Sequence, residues 1–271
     1  MIYNVPMQKI INAHCHIYPE KVAARATAGI REFYGLDRSL NGMTDDLIRD
    51  GSKVGVTHYL VHSVATKPEQ VKSINEFIAS EVNSHPGIFT GFGSLHPESA
   101  DIEADIKHLV DLGLKGVKLH PDFQNFSLDE QRAFDLGNLI KEYDIPVLLH
   151  CGDPRYERSN PAQLEEFIKH TPGLTTIAAH LGGWSKWEEA EKLIAGKYDI
   201  YVDMSSSLAW LTPEDAVRII RKYGVDRVMW GSDYPMWEHE PEMKHFEKLL
   251  LTEDEKQAVL YSTAAKLLGV D

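Results

Sequence analysis

The chain alternates short apolar runs with longer amphipathic stretches from one end to the other. Eight apolar, β-branched runs predict strands about 25 to 50 residues apart: 9–17, 56–65, 88–96, 114–120, 145–151, 174–181, 199–206 and 226–233. Between them, stretches such as 68–83, 98–113 and 127–143 carry apolar residues at helical spacing, and Ser127 with Glu130 predicts a capping box at the start of the third. Strands and helices are therefore predicted to alternate throughout.

This alternation predicts an α/β fold of the (β/α)8 TIM-barrel type. Eight strand–helix units fit the roughly 250 residues of such a barrel, whereas a doubly wound open sheet usually carries a GxGxxG turn after its first strand, which this sequence lacks. The long first gap predicts an insertion at about 18–43 over the barrel mouth. Two further helices, in 240–250 and 252–269, end the chain, and residues 1–271 are predicted to form one domain.

Composition and charge limit the kinds of molecule that the chain is expected to bind. The chain has 41 Asp plus Glu against 28 Lys plus Arg, a net charge of -13, which is the wrong sign for binding nucleic acid. Apolar runs are too short for a membrane span, the first residues do not resemble a signal peptide, and the two cysteines cannot build a disulfide framework. A cytoplasmic protein with a small-molecule substrate is expected, and whether it forms a homodimer is left open.

Polar side chains stand at the carboxyl ends of several predicted strands: His14, His16, His120, His150, His180 and Asp233. In a barrel this end is the catalytic face. Because residues two apart in a strand share a face, His14 and His16 are predicted to point into the barrel. The residues that alternate with them are then predicted to face the helices: Ala13, Cys15 and Ile17.

The paired imidazoles of His14 and His16 suggest a metal centre. With His150 and Asp233 they would supply three nitrogens and one carboxylate, a set that suits Zn²⁺ and leaves a position for water. For Asp233 a local alternative exists, because an aspartate in the turn GSDYP can cap its own backbone.

Five short motifs follow one another along the chain, one per strand: Asn12-Ala-His-Cys-His16, KLHP (118–121), LLHCGD (148–153), AAHLGG (178–183) and WGSDYP (230–235). In this order and spacing they resemble the amidohydrolase superfamily, specifically the amidohydrolase-2 branch that includes aminocarboxymuconate-semialdehyde decarboxylase and its relatives. The resemblance covers nearly the whole chain. It implies one divalent metal, usually Zn²⁺, held by His14, His16, His150 and Asp233, with His180 acting on substrate or water.

The sequence departs from the branch at two places. Asn12 stands where the family usually has Asp, and 262–265 reads Ser-Thr-Ala-Ala where the family usually has an Asn-Ala pair. Lys118 is also predicted to lie inside the barrel, on the same face as His120. An ion pair with an inward acid such as Asp203 is the preferred interpretation, and a carboxylated Lys118 that supports a second metal is the alternative.

These residues predict a metal-dependent hydrolase that acts on a small carboxylated ring, ester or amide substrate through a metal-activated water. Asp233 is expected to accept the proton of that water, and His180 to hydrogen-bond a developing oxyanion or relay a proton. A non-oxidative decarboxylase that uses the same site is the alternative, and a metal-binding barrel without turnover is a more distant one.

Four further residues are predicted to bind the substrate: Arg155, His120, Trp184 and Trp237. The last two lie in loops that follow predicted strands. Arg155, in the loop after the fifth strand, would suit a substrate carboxylate, although a solvated loop arginine is an equally good interpretation.

Overall fold

The computed structural model describes residues 9–36 and 40–270, so residues 1–8, 37–39 and 271 of the predicted domain lie outside it, 37–39 being part of the predicted insertion. Its strands are β1 Ile10–His16, β2 Val56–His62, β3 Phe89–Gly91, β4 Gly93–Ser94, β5 Val117–Leu119, β6 Val147–Leu149, β7 Thr176–Ala178, β8 Tyr201–Asp203 and β9 Val228–Met229. Its helices are α1 Glu20–Tyr34, α2 Thr44–Ser52, α3 Val71–Ser84, α4 Ile102–Asp111, α5 Pro121–Gln124, α6 Gln131–Glu142, α7 Pro161–His170, α8 Trp187–Leu193, α9 Pro213–Tyr223, α10 His239–Glu247, α11 Glu253–Gln257 and α12 Thr263–Leu268. Short 3₁₀ turns lie at Pro68–Gln70, His180–Gly182 and Val225–Arg227, and a π-helical segment at Ala258–Ser262.

The strands close into a barrel. Strands β1 to β3 pair in parallel, as do β4 to β9, and the run 88–96 is divided between β3 and β4 at Phe92. The ring closes where the Ala13 N–H donates to the Trp230 carbonyl at 2.9 Å and the Asp233 N–H donates to the His14 carbonyl at 3.0 Å. The predicted (β/α)8 fold is confirmed.

An apolar plug fills the barrel interior below the catalytic face: Ile11, Ala13, Leu60, Phe92, Leu148, Ile177 and Met229, with Ala264 and Ala265 of α12 beneath. The prediction that Ala13 faces the helices is therefore wrong. The register of β1 against β2 shifts between Asn12 and Cys15, so that two residues of β1 oppose one of β2. Such a bulge interrupts strict alternation and lets both Ala13 and His14 point inward.

Helix α1 occupies the described part of the predicted insertion, and its last residue, Tyr34, reaches the catalytic face. The predicted capping box at Ser127 and Glu130 is wrong, because α6 begins at Gln131 and its N-cap residue makes no side-chain cap bond. The Ser127 hydroxyl donates instead to the Asp129 carboxylate. Of the helices in the part of the chain that the structure describes, none combines the length and the apolar character needed to cross a bilayer.

Glu242 is a buried carboxyl group on α10, 3% exposed. Burial raises its pKa from 4.5 to about 8. The unfolded chain releases this proton near the lower value and the folded chain keeps it until the higher one. The unfolding free energy therefore falls as pH rises through that window. We expect Glu242→Gln to be more stable than the wild type at about pH 9 and to approach it at about pH 5 in urea unfolding.

The matched control is Glu247→Gln, an exposed residue on the same helix. If the Glu242→Gln protein lost stability with rising pH as steeply as the wild type and this control, Glu242 would not carry the pH dependence.

Candidate metal centre and active site

Three donor atoms meet at the carboxyl end of the barrel. The His14 Nε2 and His16 Nε2 atoms are 3.3 Å apart, and the Asp233 Oδ1 atom lies 3.4 Å from the first and 3.5 Å from the second. In a tetrahedral zinc site with bonds of about 2.0–2.1 Å, the ligand atoms are separated by about 3.3–3.4 Å. The spacing of these three atoms fits one divalent metal ion.

Asp203, at the end of β8, orients the His14 ring. Its Oδ2 atom lies 2.8 Å from His14 Nδ1, and its Oδ1 atom accepts a hydrogen bond from Ser205 Oγ at 2.5 Å. Burial opposes the charge, but His14 and Ser205 outweigh it and lower the pKa of Asp203 to about 2. A carboxylate on Nδ1 keeps the proton there and leaves Nε2 free as a ligand, an arrangement common around metal-bound histidines.

The second oxygen of Asp233 is held from the opposite side. Ser206 Oγ donates to Asp233 Oδ2 at 2.6 Å, and the indole N–H of Trp237 donates to Ser206 Oγ at 2.8 Å. Burial opposes the ionisation of Asp233, but the surrounding imidazoles, above all that of His14, hold its pKa well below the usual range. The Asp233 side chain thus faces the histidines and Ser206, and it does not cap the backbone of its own turn.

His180 and His150 form a hydrogen-bonded pair beside the three donor atoms. His180 Nδ1 lies 3.0 Å from the carbonyl oxygen of Ser205, and its Nε2 lies 3.1 Å from His150 Nδ1. Because a carbonyl oxygen only accepts, we assign the hydrogen of His180 to Nδ1, which leaves the lone pair of Nε2 facing His150. Burial lowers the pKa of His180 to about 4 and holds that of His150 well below its usual range, so both rings are neutral at neutral pH.

Tyr34 of α1 extends this chain of hydrogen bonds to the mouth. Its hydroxyl lies 3.0 Å from His120 Nε2 and 3.4 Å from His150 Nε2. The backbone N–H of Phe123 donates to His120 Nδ1, which assigns the hydrogen of His120 to Nε2. Tyr34 then accepts from His120, and its hydroxyl also reaches His150 Nε2, the atom that lies 3.1 Å from the Gly152 carbonyl. Three side chains in contact, Tyr34, His150 and His180, thus connect α1 to the metal site.

A pocket opens above these groups. It is lined by His16, Ile30, Tyr34, Leu36, His120, Phe123, His150, His180, Trp184, Ser206, Trp210, Asp233, Met236 and Trp237. The predicted substrate-binding residues His120, Trp184 and Trp237 are among them, together with the catalytic candidates His180 and Asp233. Within residues 9–36 and 40–270, neither lysine nor arginine lines this pocket.

The sequence profile of the amidohydrolase family matches residues 11–270. The chain belongs to the amidohydrolase family. A curated relative, Decarboxylase orsB of Emericella nidulans, is 24% identical over 181 residues, which cover 57% of this chain and 52% of the relative. This amidohydrolase therefore spans about half the length of the curated relative it matches.

Solved structures share the fold of this amidohydrolase. The 5-carboxyvanillate decarboxylase LigW of Sphingomonas paucimobilis superposes with a TM-score of 0.76 at 14% identity, covering 97% of this chain and 100% of that one. A protein of Pseudomonas putida provisionally assigned as a 2-pyrone-4,6-dicarboxylic acid hydrolase has a TM-score of 0.67 at 20% identity, covering 97% and 98%. At these identities the likeness establishes the barrel.

Arg155 of this amidohydrolase lies in the predicted loop, after β6, but is not among the residues that line the pocket. Its guanidinium donates to Asp153 through Nε at 2.9 Å and through Nη2 at 2.6 Å, and Nη1 donates to the Phe33 carbonyl. The same group lies 4.2 Å above the Phe33 ring. Arg155 fastens the end of α1 to the loop after β6, and these contacts use three of its five N–H donors. Its role as a carboxylate anchor stays a prediction.

Lys118 of the amidohydrolase lies inside the barrel, fully buried, as predicted. The expected ion pair with Asp203 is wrong, because Asp203 binds His14 instead. The Lys118 amine lies 3.4 Å from His14 Nε2, and burial lowers its pKa to about 8. A carboxylated Lys118 remains a prediction that the geometry does not test.

His150 as a fourth ligand stays a prediction, and the structure adds a buried histidine, His62, that the sequence interpretation passed over. His150 groups with His120 and Asp122, whereas His62 groups with His14 and His16. The signal for His62 was present, since it ends the second strand just as the other candidates end theirs. Cys15 and Cys151 are buried and unpaired, as expected.

Proposed function

We propose that this chain is a divalent-metal-dependent, non-oxidative decarboxylase of a small planar carboxylic acid. The observation that carries the proposal is a pocket walled by aromatic rings whose floor holds the His14, His16 and Asp233 donor atoms. The curated relative and one structural relative bear decarboxylase names. Zinc is the metal we propose, because imidazole and carboxylate ligands at this spacing suit it.

The three donor residues indicate the role of the metal. His14, His16 and Asp233 would hold it, and when bound it supplies Lewis-acid charge that attracts and polarises a substrate oxygen. The chain's own part is to keep the donors in place. Asp203 holds the His14 ring, and Ser206 holds the free oxygen of Asp233.

The walls suit an aromatic acid. Tyr34, Trp184, Trp210 and Trp237 offer ring faces and edges against which a planar substrate packs. An apolar wall disfavours a charged carboxylate more than neutral carbon dioxide, so burial in this pocket favours the loss of the carboxylate. No lysine or arginine from the described walls offsets that effect.

The reaction exchanges a carboxyl group for a hydrogen. The bond between the ring carbon and the carboxylate carbon breaks, carbon dioxide leaves, and the electron pair stays on the ring carbon, which takes one proton. We assign the delivery of that proton to His180, which receives it through His150. Because its pKa is about 4, His180 gives up a proton readily once its Nε2 carries one.

Hydrolysis of a small ring ester or amide is the second candidate. The observation that favours it is the ionised Asp233 carboxylate, which can accept a proton from water beside the histidines. Hydrolysis yields a new carboxylate without carbon dioxide, so the two reactions are separable by their products.

The test is a product analysis with zinc-loaded protein in D₂O. We expect dihydroxybenzoic acids labelled with ¹³C at the carboxyl group to release labelled carbon dioxide and to gain one deuterium at the vacated carbon, and a chelator to stop both. Turnover of lactones or amides without carbon dioxide would establish hydrolysis instead. Absence of turnover of either substrate class by metal-loaded protein would contradict the proposal.

A further inference from the structure

Asn12 of β1 is a fully buried polar residue that the proposed chemistry does not yet use. Its amide oxygen accepts hydrogen bonds from two backbone N–H groups, those of His14 and Ser232, each at 3.1 Å. His14 carries one donor atom of the metal centre, and Ser232 immediately precedes Asp233, which carries another. One side-chain oxygen therefore contacts both backbone segments that bring the donor atoms together.

The bulge in β1 explains why a side chain is needed at this place. The register against β2 shifts between Asn12 and Cys15, and such a shift disrupts the regular ladder of backbone hydrogen bonds. The His14 N–H lies within this stretch, and the Asn12 side chain supplies an acceptor for it. A buried N–H without a partner is costly. Asn12 thus supports the local backbone geometry that lets His14 point into the barrel.

The amide nitrogen of Asn12 extends the contact to the other side of Asp233. It donates to the Ser232 hydroxyl at 2.7 Å, and that hydroxyl also accepts from the backbone N–H of Tyr234 at 3.1 Å. The residues before and after Asp233 are thus held to Asn12, one directly and one through the Ser232 hydroxyl. A displacement of the amide would therefore move the Asp233 side chain relative to the histidines of β1.

Two further residues fix the orientation of the amide. His239, the buried first residue of α10, has its Nδ1 atom 2.8 Å from Asp50 Oδ2 and its Nε2 atom 2.8 Å from Asn12 Nδ2. Because a carboxylate only accepts, the hydrogen of His239 is assigned to Nδ1, and Nε2 then accepts from the Asn12 amide. The same Asp50 oxygen accepts the backbone N–H of His239 at 2.9 Å, which anchors this histidine to α2. Asparagine fits this place because it offers a hydrogen to His239 and an oxygen to the backbone, whereas a carboxylate offers acceptors alone.

We propose that Asn12 is a positioning residue of the metal centre, and that His239 and Asp50 keep its amide in the orientation that this role requires. The amide holds the Asp233 donor atom at its distance from the two imidazoles of β1. Asn12 does not line the pocket, so it acts through the donor residues and not on the substrate. This inference rests on the metal dependence of the proposed function.

The test is cobalt binding by metal-free Asn12→Ala protein, with Asn75→Ala as the matched control. Asn75 is equally buried and makes the same kinds of bond, since its Oδ1 accepts the Ser94 N–H at 2.7 Å and its Nδ2 donates to the Ser94 carbonyl at 3.1 Å. It joins α3 to β4, which carry none of the three donor atoms. Both variants lose buried hydrogen bonds, so both are expected to unfold at lower urea concentrations than the wild type.

We expect Asn12→Ala to bind cobalt roughly 10–100-fold more weakly in chelator competition, the range found when an outer partner of metal ligands is removed. Its visible cobalt spectrum should also change, because that spectrum reports the arrangement of the ligands. Asn75→Ala should keep the affinity and the spectrum of the wild type. If both variants are destabilised and both keep wild-type affinity and spectrum, Asn12 is a structural residue alone. That result would overturn the inference and leave the metal dependence intact.

A wild-type protein that binds no cobalt would overturn the inference and the metal dependence together. Should Asn12→Ala fail to fold, Asn12→Ser decides, because it leaves a hydrogen-bonding group in the buried space. The serine hydroxyl lies one bond short of the amide oxygen, so it cannot keep both backbone contacts. We expect weaker cobalt binding and a changed spectrum in this variant too, and wild-type values would contradict the proposal.

Discussion

Asp233→Asn is expected to lose the metal and nearly all turnover. Asparagine keeps the size of the side chain, tolerates the backbone φ of 63° at this position, and its amide oxygen can still accept the Ser206 hydrogen bond. It lacks the negative charge that faces His14 and His16. We expect metal affinity to fall at least about 100-fold and turnover by about 10³-fold or more, as measured by chelator competition and by product release.

The matched control is Asp226→Asn, an exposed aspartate at the turn before β9. It changes the net charge of the chain by the same amount and leaves the site untouched. If Asp233→Asn kept its metal and its activity as this control does, Asp233 would have no place in the metal centre.

His180→Asn is expected to keep the metal and lose turnover. His180 has a backbone φ of 60°, which asparagine adopts more easily than most residues, so the substitution strains the loop little. The variant loses the ring nitrogen that meets His150 at 3.1 Å. Removing a group that transfers a proton costs roughly 10²–10⁴-fold in turnover, and we expect a loss in that range at unchanged metal content.

His170→Asn, at the exposed end of α7, serves as the control. Metal content and turnover are measured side by side on the same preparations. A His180→Asn protein that is metal-free, or metal-loaded and fully active, would show that the roles of His180 and of the donor atoms have been assigned wrongly.

Strand position made much of the site predictable. Side chains at the carboxyl ends of barrel strands converge irrespective of the loop conformations. This brings the Nε2 atoms of His14 and His16 and the Oδ1 atom of Asp233 within 3.5 Å of one another. Ala13 was placed on the wrong face because a bulge adds a residue that strict alternation cannot reveal. The apolar character of an alanine gives no sign of such a shift.

The side-chain partners of Arg155 and Lys118 could not be predicted from their neighbours in sequence. The carbonyl that binds Arg155 belongs to Phe33, 122 residues away, on an inserted helix whose path the strand pattern does not contain. Lys118 was correctly predicted to lie inside the barrel. Its partner depended on the orientation of the Asp203 side chain, whose Oδ2 atom lies 2.8 Å from His14 Nδ1. Both cases turn on side-chain partners brought together by the barrel.

Metal titration of turnover tests the central claim, a metal-dependent site built on His14, His16 and Asp233, most directly. Protein stripped with a chelator is titrated with zinc while carbon dioxide release from an accepted aromatic acid is followed. We expect no turnover before addition and a linear rise that ends at about one equivalent per chain, since the three donors define one site. Full turnover by the stripped protein, unchanged by added zinc, would contradict the account.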